Sequence, residues 1–179
     1  MRTSLVLTVI GDDKPGIVER VADLALSAGA NWEESRMARL AGKFAGLLRV
    51  SVDEAHADAL VRALHALDSS GLRIVVERTG EPTAAAARTL RLDLVGNDRA
   101  GIVRDISRAL ARQGVNIEEL ETDVTSAPMT GEPLFRARAH LRVPPSATVS
   151  AVRDRLEALA GELMVDITLD DAQDPKILP

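Results

Sequence analysis

Two short runs carry the residue types best able to hold a small charged molecule. Gly11, Asp12, Asp13, Gly16, Ile17 and Asn31 form the first, and Gly96, Asn97, Asp98, Gly101, Ile102 and Asn116 repeat it. In each, a small glycine opening a helix would expose backbone N–H groups at the positive end of the helix dipole, where a carboxylate is favoured. The aspartate beside it, Asp13 or Asp98, could cap the helix and also receive an ammonium, so that one turn answers both poles of a free amino acid. The asparagines would add a donor and an acceptor at the same pocket edge. A purely structural reading is available too: glycine for a tight turn, aspartate for a cap, asparagine for a left-handed residue before a strand. Residue types alone support both.

Other chemistries lack their residues. Three histidines, His56, His65 and His140, are scattered, and the first two, on one expected helix, point to opposite sides at 100° per residue, so no metal is expected. Gly11 to Gly16 and Gly96 to Gly101 have the outer spacing of a phosphate loop, but Ile-Val stands where Lys then Ser or Thr is required. No GxSxG, HExxH or Ser/His/Asp grouping occurs, and with no cysteine there is no thiolate chemistry, disulfide or sulfur-ligated metal. The chain is therefore expected to be no enzyme and to need no cofactor. A basic stripe, Arg136, Arg138, His140 and Arg142, alternates along one strand; Asp93, Glu121 and Asp166 are offered as cross-strand partners, making it a paired sheet face before it is an anion site.

These residues are positioned by a repeat. Gly11 to Val18 aligns with Gly96 to Val103, and the register continues without a gap until Gly29, Asn31, Glu33 and Glu34 meet Gly114, Asn116, Glu118 and Glu119. A long period with two copies indicates duplicated domains. Each copy opens with a half-buried strand (Leu5, Leu7, Val9; Leu90, Leu92, Leu94). A helix follows (Ile17, Val21, Leu24, Ala25, Ala28; Ile102, Ile106, Ala109, Leu110), stopped by Gly29 or Gly114. Two strands come next, the second clear in the alternation of Phe44, Gly46, Leu48, Val50, Val52 and of Phe135, Ala137, Ala139, Leu141, Val143. Helices near 55–68 and 147–160 lead to last strands at Leu72, Ile74, Val76 and at Leu163, Val165, Ile167, Leu169. The expected fold is α+β: two tandem ferredoxin-like βαββαβ modules, each an antiparallel sheet with both helices on one face and the other face polar. The modules are expected at 1–79 and 89–171, with a linker at 80–88 and a C-terminal tail at 172–179.

Composition narrows the partners. Aromatic residues make up only 2% of the 179, which removes the stacking platforms of single-strand binders, and a net charge of −5 disfavours phosphate contacts, so no direct nucleic-acid binding is expected. The first ten residues read as a strand rather than a signal peptide, and no apolar stretch approaches the roughly 20 residues of a membrane span. No membrane association and a cytoplasmic location are the expectations.

At the Asp-x-x-Gly-Ile-Val turns and the Gly-x-Asn segments, Gly29 to Asn31 and Gly114 to Asn116, both halves resemble ACT domains across nearly the whole chain. The likeness extends to the glycine cleavage system transcriptional repressor family, two ACT domains without a DNA-binding domain. In the second half Ser126-Ala127-Pro128-Met129-Thr130-Gly131-Glu132-Pro133-Leu134-Phe135, closing on Val143-Pro144, resembles that family's long hairpin. It is six residues longer than in the first half, since Phe44 follows Asn31 by 13 residues and Phe135 follows Asn116 by 19. The resemblance implies a regulator that senses glycine or a related amino acid and acts by contacting a LysR-type transcription activator protein. It also implies a homodimer or higher oligomer, with effectors held where the first loop of one module faces the second strand of another. The twelve residues named at the outset are nominated as ligand-binding by position. Trp32, where the second half has Ile117, departs from the aliphatic pattern. A ligand-independent interaction module, or a regulatory subunit of an amino-acid or folate enzyme, is the alternative.

Overall fold

The computed structural model describes residues 1–80, 87–127 and 131–172. Most of the expected linker, residues 128–130 of the expected long hairpin and the tail from 173 onward lie outside the described residues. The chain divides into two units, 1–83 and 84–179, each with its own hydrophobic core.

In the first unit β1 (Arg2–Asp12), α1 (Ile17–Ser27), β2 (Asn31–Leu40), β3 (Lys43–Asp53), α2 (Glu54–His65) and β4 (Leu72–Thr79) follow in order. The second repeats this with β5 (Arg88–Asn97), α3 (Ile102–Ala111), β6 (Asn116–Ser126), β7 (Pro133–Val143), α4 (Val149–Leu163) and β8 (Val165–Asp171). The sheets are ordered β2-β3-β1-β4 and β6-β7-β5-β8. The pairings around both central strands are antiparallel, giving the split βαββαβ arrangement twice.

Period decides the layers. Leu5, Leu7 and Val9 of β1 and Leu48, Val50 and Val52 of β3 point one way at strand period two, meeting Ile17 and Val21 of α1 and Ala57, Leu60 and Leu64 of α2 at helical spacing. The second core is built alike, with Leu90, Leu92 and Leu94 under Ile102, Ile106, Val152 and Leu156. Aliphatic side chains fill both, and no polar or charged residue is buried among those described. Among the described residues no helix is long and apolar enough to cross a membrane.

Three expectations change. Leu163 ends α4 instead of starting a strand: it is buried at helical spacing from Leu156 and Leu159, and Met164, left-handed at φ 52, then turns the chain into β8. The helix expected to reach 68 stops at His65 and tightens into a 3₁₀ turn at Ala66–Ser70. A polar outer sheet face holds for the second unit only. The first unit turns Ile10, Leu47 and Val75 outward at 44%, 54% and 55% exposure.

Candidate functional site

The turn between the first strand and first helix is built alike in both units. Gly11 lies between Phe44 of β3 and Leu72 of β4, and Gly96 between Phe135 of β7 and Val165 of β8. A Cβ on Gly96 would stand 2.4 Å from Cγ1 of Val165, so the approach of β8 requires glycine there, whereas one on Gly11 would stand 3.0 Å from the Gly71 carbonyl, a tight contact that a small shift relieves. The next turn is anchored to the hairpin beyond: Asp13 N–H donates to the Gly42 carbonyl at 3.0 Å and Asp98 N–H to the Pro133 carbonyl at 2.9 Å. Gly16 and Gly101 then adopt φ of +88° and +100°, open to glycine without strain, and occupy the N-cap positions. Ile17 and Ile102 are driven into the cores as the first helical residues.

Neither aspartate caps its helix. Gly16 and Gly101 carry no side chain to accept from the first turn, and no side-chain cap bond forms at α1 or α3. Asp13 and Asp98 stand three residues further out. The helix ends thus keep N–H groups with no protein side chain on them, the feature a ligand carboxylate uses.

The two turns differ in charge. In the first, Asp12 accepts from Lys43 Nζ at 2.5 Å and Asp13 meets Arg39 Nε at 2.6 Å. The Lys43 hydrogen bond and charge, with Lys14 beyond, hold the Asp12 carboxyl below its usual range. In the second, the register puts Leu134 opposite Asn97 where Lys43 faces Asp12, and Val124 opposite Phe135 where Arg39 faces Phe44. Both bases are replaced by apolar side chains, and Asp98 has no side-chain partner among the described residues. The helix mouths differ as well. The space beside Gly16 faces a Glu19 carboxylate oxygen, 3.6 Å from where a Cβ would stand, whereas that beside Gly101 faces an Arg104 guanidinium nitrogen at 3.3 Å. Arg104 is held by Asp105, whose carboxyl its hydrogen bond pulls below the usual range.

Asn31 and Asn116 are elsewhere. Each begins its strand, Asn31 opposite Ser51 and Asn116 opposite Arg142, whereas Gly11 and Gly96 lie opposite Phe44 and Phe135. Seven residues of β3 or β7 separate the two levels, roughly 24 Å at the rise of a strand. Within one module, loop and asparagine therefore do not meet. Sequence reasoning missed Lys43 and Arg39, because their meeting with the turn depends on hairpin register, and Arg104, because its reach back to Gly101 depends on the rotamer it takes in the first turn of α3.

Three of the four bases of the stripe are paired: Arg138 Nε lies 3.7 Å from Asp93, His140 Nδ1 3.0 Å from Glu119, and Arg142 meets Glu118, so of the expected partners only Asp93 is met, and Arg136 has no side-chain partner among the described residues. His56 and His65 are exposed on α2, and no group of three potential metal ligands occurs among the described residues.

ACT domain models match residues 3–77 and 85–165. The glycine cleavage system transcriptional repressor of Escherichia coli (strain K12) is 27% identical over 168 residues, 89% of this chain and 85% of the repressor. A solved structure of an unknown protein from Galdieria sulphuraria is similar with a TM-score of 0.82 and 33% identity, covering 97% of this chain and 100% of that one. Another, assigned provisionally as a glycine cleavage system transcriptional repressor, shares the fold with a TM-score of 0.71 at 22% identity over 97% and 99% of the two chains.

Proposed function

Because the chain belongs to the ACT-domain family, in two tandem copies, we propose that it is a non-enzymatic cytoplasmic regulator that senses a free amino acid such as glycine. The observation that carries the reading is the second turn. The Asp98 carboxylate has no side-chain partner among the described residues and stands beside a helix mouth opened by Gly101 and flanked by Arg104. An ammonium on Asp98 and a carboxylate toward the N-terminus of α3 satisfy both poles of the ligand. The first turn has spent both its carboxylates on Lys43 and Arg39, so the second copy is the working one. Asn31 or Asn116, presented by a second copy of the chain, completes the site. Output runs through protein contact with a LysR-type transcription activator, in keeping with a net charge of −5 that disfavours phosphate binding.

Calorimetric titration with glycine, serine and other amino acids tests this, on wild type beside Asp98→Ala, Asn31→Ala and Asn116→Ala. Binding is expected to weaken about tenfold or more with Asp98→Ala and to be lost with only one asparagine variant. Absence of binding by every amino acid in the wild type overturns the sensor. A pull-down with the purified activator, with and without the amino acid that binds, tests the output.

A further inference from the structure

We propose that the outer face of the first module's sheet is a self-association surface, on which a second copy of this chain packs sheet against sheet about a two-fold axis. The face is made of rows that cross four strands. One reads Val75, Thr8, Leu47, Arg36 and the next Arg73, Ile10, Ala45, Ala38. Ile10, Leu47 and Val75 are 44%, 54% and 55% exposed, and they lie on adjoining rows, so their apolar surface is continuous.

The second module supplies the control. Its equivalent row reads Thr168, Asp93, Arg138, Glu121, a polar ladder in which Arg138 lies 3.7 Å from Asp93. The same sheet in the same place is stable with charge where the first module has Leu47, so the fold does not demand apolar side chains there. A cost in solubility is borne at one copy of a duplicated position and avoided at the other, which points to burial on a partner.

Area and charge identify that partner as the chain itself. Four strands about 4.8 Å apart and about eight residues long present roughly 500 Å² of projected face, and two such faces bury about 1,000 Å² or more, the size of a specific interface. Asp12 is paired with Lys43 and Arg36 with Glu34 within the module, and the remaining charge of these rows, Arg73, lies on the edge strand β4, at the rim of the face where water can still reach it. Twisted sheets pack face to face at about 10 Å with their strands some 30° apart, which a two-fold axis permits. The charged face of the second module offers no such match.

The test uses the full chain. Analytical ultracentrifugation is expected to give a dimer at about 100 µM and a monomer on dilution. Leu47→Arg combined with Val75→Thr installs residues that the second module already carries at these places. It is expected to give a monomer with unchanged circular dichroism, its dissociation constant raised about 100-fold. Arg138→Leu is expected to leave dimerisation by the first module's face intact. A monomeric wild type, or a folded double variant that remains dimeric, overturns the proposal. Should the double variant fail to fold, Thr8→Cys decides in a near-native background, since the chain has no other cysteine. Its alkylation is expected to slow about tenfold at dimer-forming concentration relative to dilution, and equal rates overturn the proposal.

Discussion

The carboxylate of Asp13 lies 2.6 Å from Arg39, and that of Asp98, at the same point of the second turn, meets no side chain among the described residues. A carboxylate already neutralised gains little from a ligand ammonium, because an existing ion pair must first be broken. A free one gains a charge-assisted bond worth about 1.5–3 kcal/mol. Asp98→Ala is therefore expected to weaken amino-acid binding about tenfold or more, with Asp13→Ala changing it less than about threefold, both read by calorimetry. Comparable losses in the two variants would refute the assignment of the second copy. Glycines divide by a different rule. A methyl on Gly96 would be driven into Val165, 2.4 Å from its Cγ1, so Gly96→Ala is expected to cost about 1–3 kcal/mol in denaturant unfolding by displacing β8. An unchanged midpoint would show that β8 yields freely.

At the scale of elements, α4 holds two positions whose effects oppose. Thr148 is the N-cap, its hydroxyl accepting from the Ala151 N–H at 3.3 Å, while Gly161 lies inside the helix with nothing within 4 Å of an added Cβ. Thr148→Ala should lower stability by about 1 kcal/mol and Gly161→Ala should raise it by about 0.5–1 kcal/mol, both from urea titrations. Two losses would mean that Gly161 serves a contact the helix geometry does not reveal. The strands were the legible part of the fold: the alternation from Phe135 to Val143 is buried on one side throughout, and Gly29 and Gly114 end α1 and α3 in left-handed backbone. Leu163 was misplaced because its neighbours satisfy strand and helix period alike, and only the left-handed Met164 separates them. The capping role expected of Asp13 and Asp98 failed because a glycine in the left-handed region can take the N-cap itself, a backbone fact with no signature in residue type. The sequence did contain the outward apolar face, in consecutive apolar pairs such as Val9-Ile10, Leu47-Leu48 and Val75-Val76, which strict alternation would not give. Reading it needed the register that puts Leu47 and Val75 either side of Thr8.

For the molecule as a whole, the division of apolar residues into two separate clusters sets how it comes apart. The first cluster draws only on residues from Leu5 to Val76, the second only on residues from Leu90 to Leu169. A duplicated unit of this size has a core sufficient for marginal stability by itself. A cavity made in one core is then felt by that module. Leu156 is 2% exposed under the second sheet and Leu60 is 2% exposed under the first. Truncating either to alanine should cost its own module about 2–5 kcal/mol. For a domain of this length each kcal/mol moves the midpoint by about 4–8 °C, so the affected transition should fall by roughly 10 °C or more. Differential scanning calorimetry of Leu156→Ala is expected to show two transitions, one at the wild-type temperature and one lowered, and Leu60→Ala the reverse assignment. Addition of the amino acid that binds should raise the second module's transition in Leu60→Ala, because a ligand held by the native turn at Asp98 stabilises by mass action. A single transition that shifts as one in both variants would show instead that the cores unfold together, and the independence of the two modules would have to be abandoned.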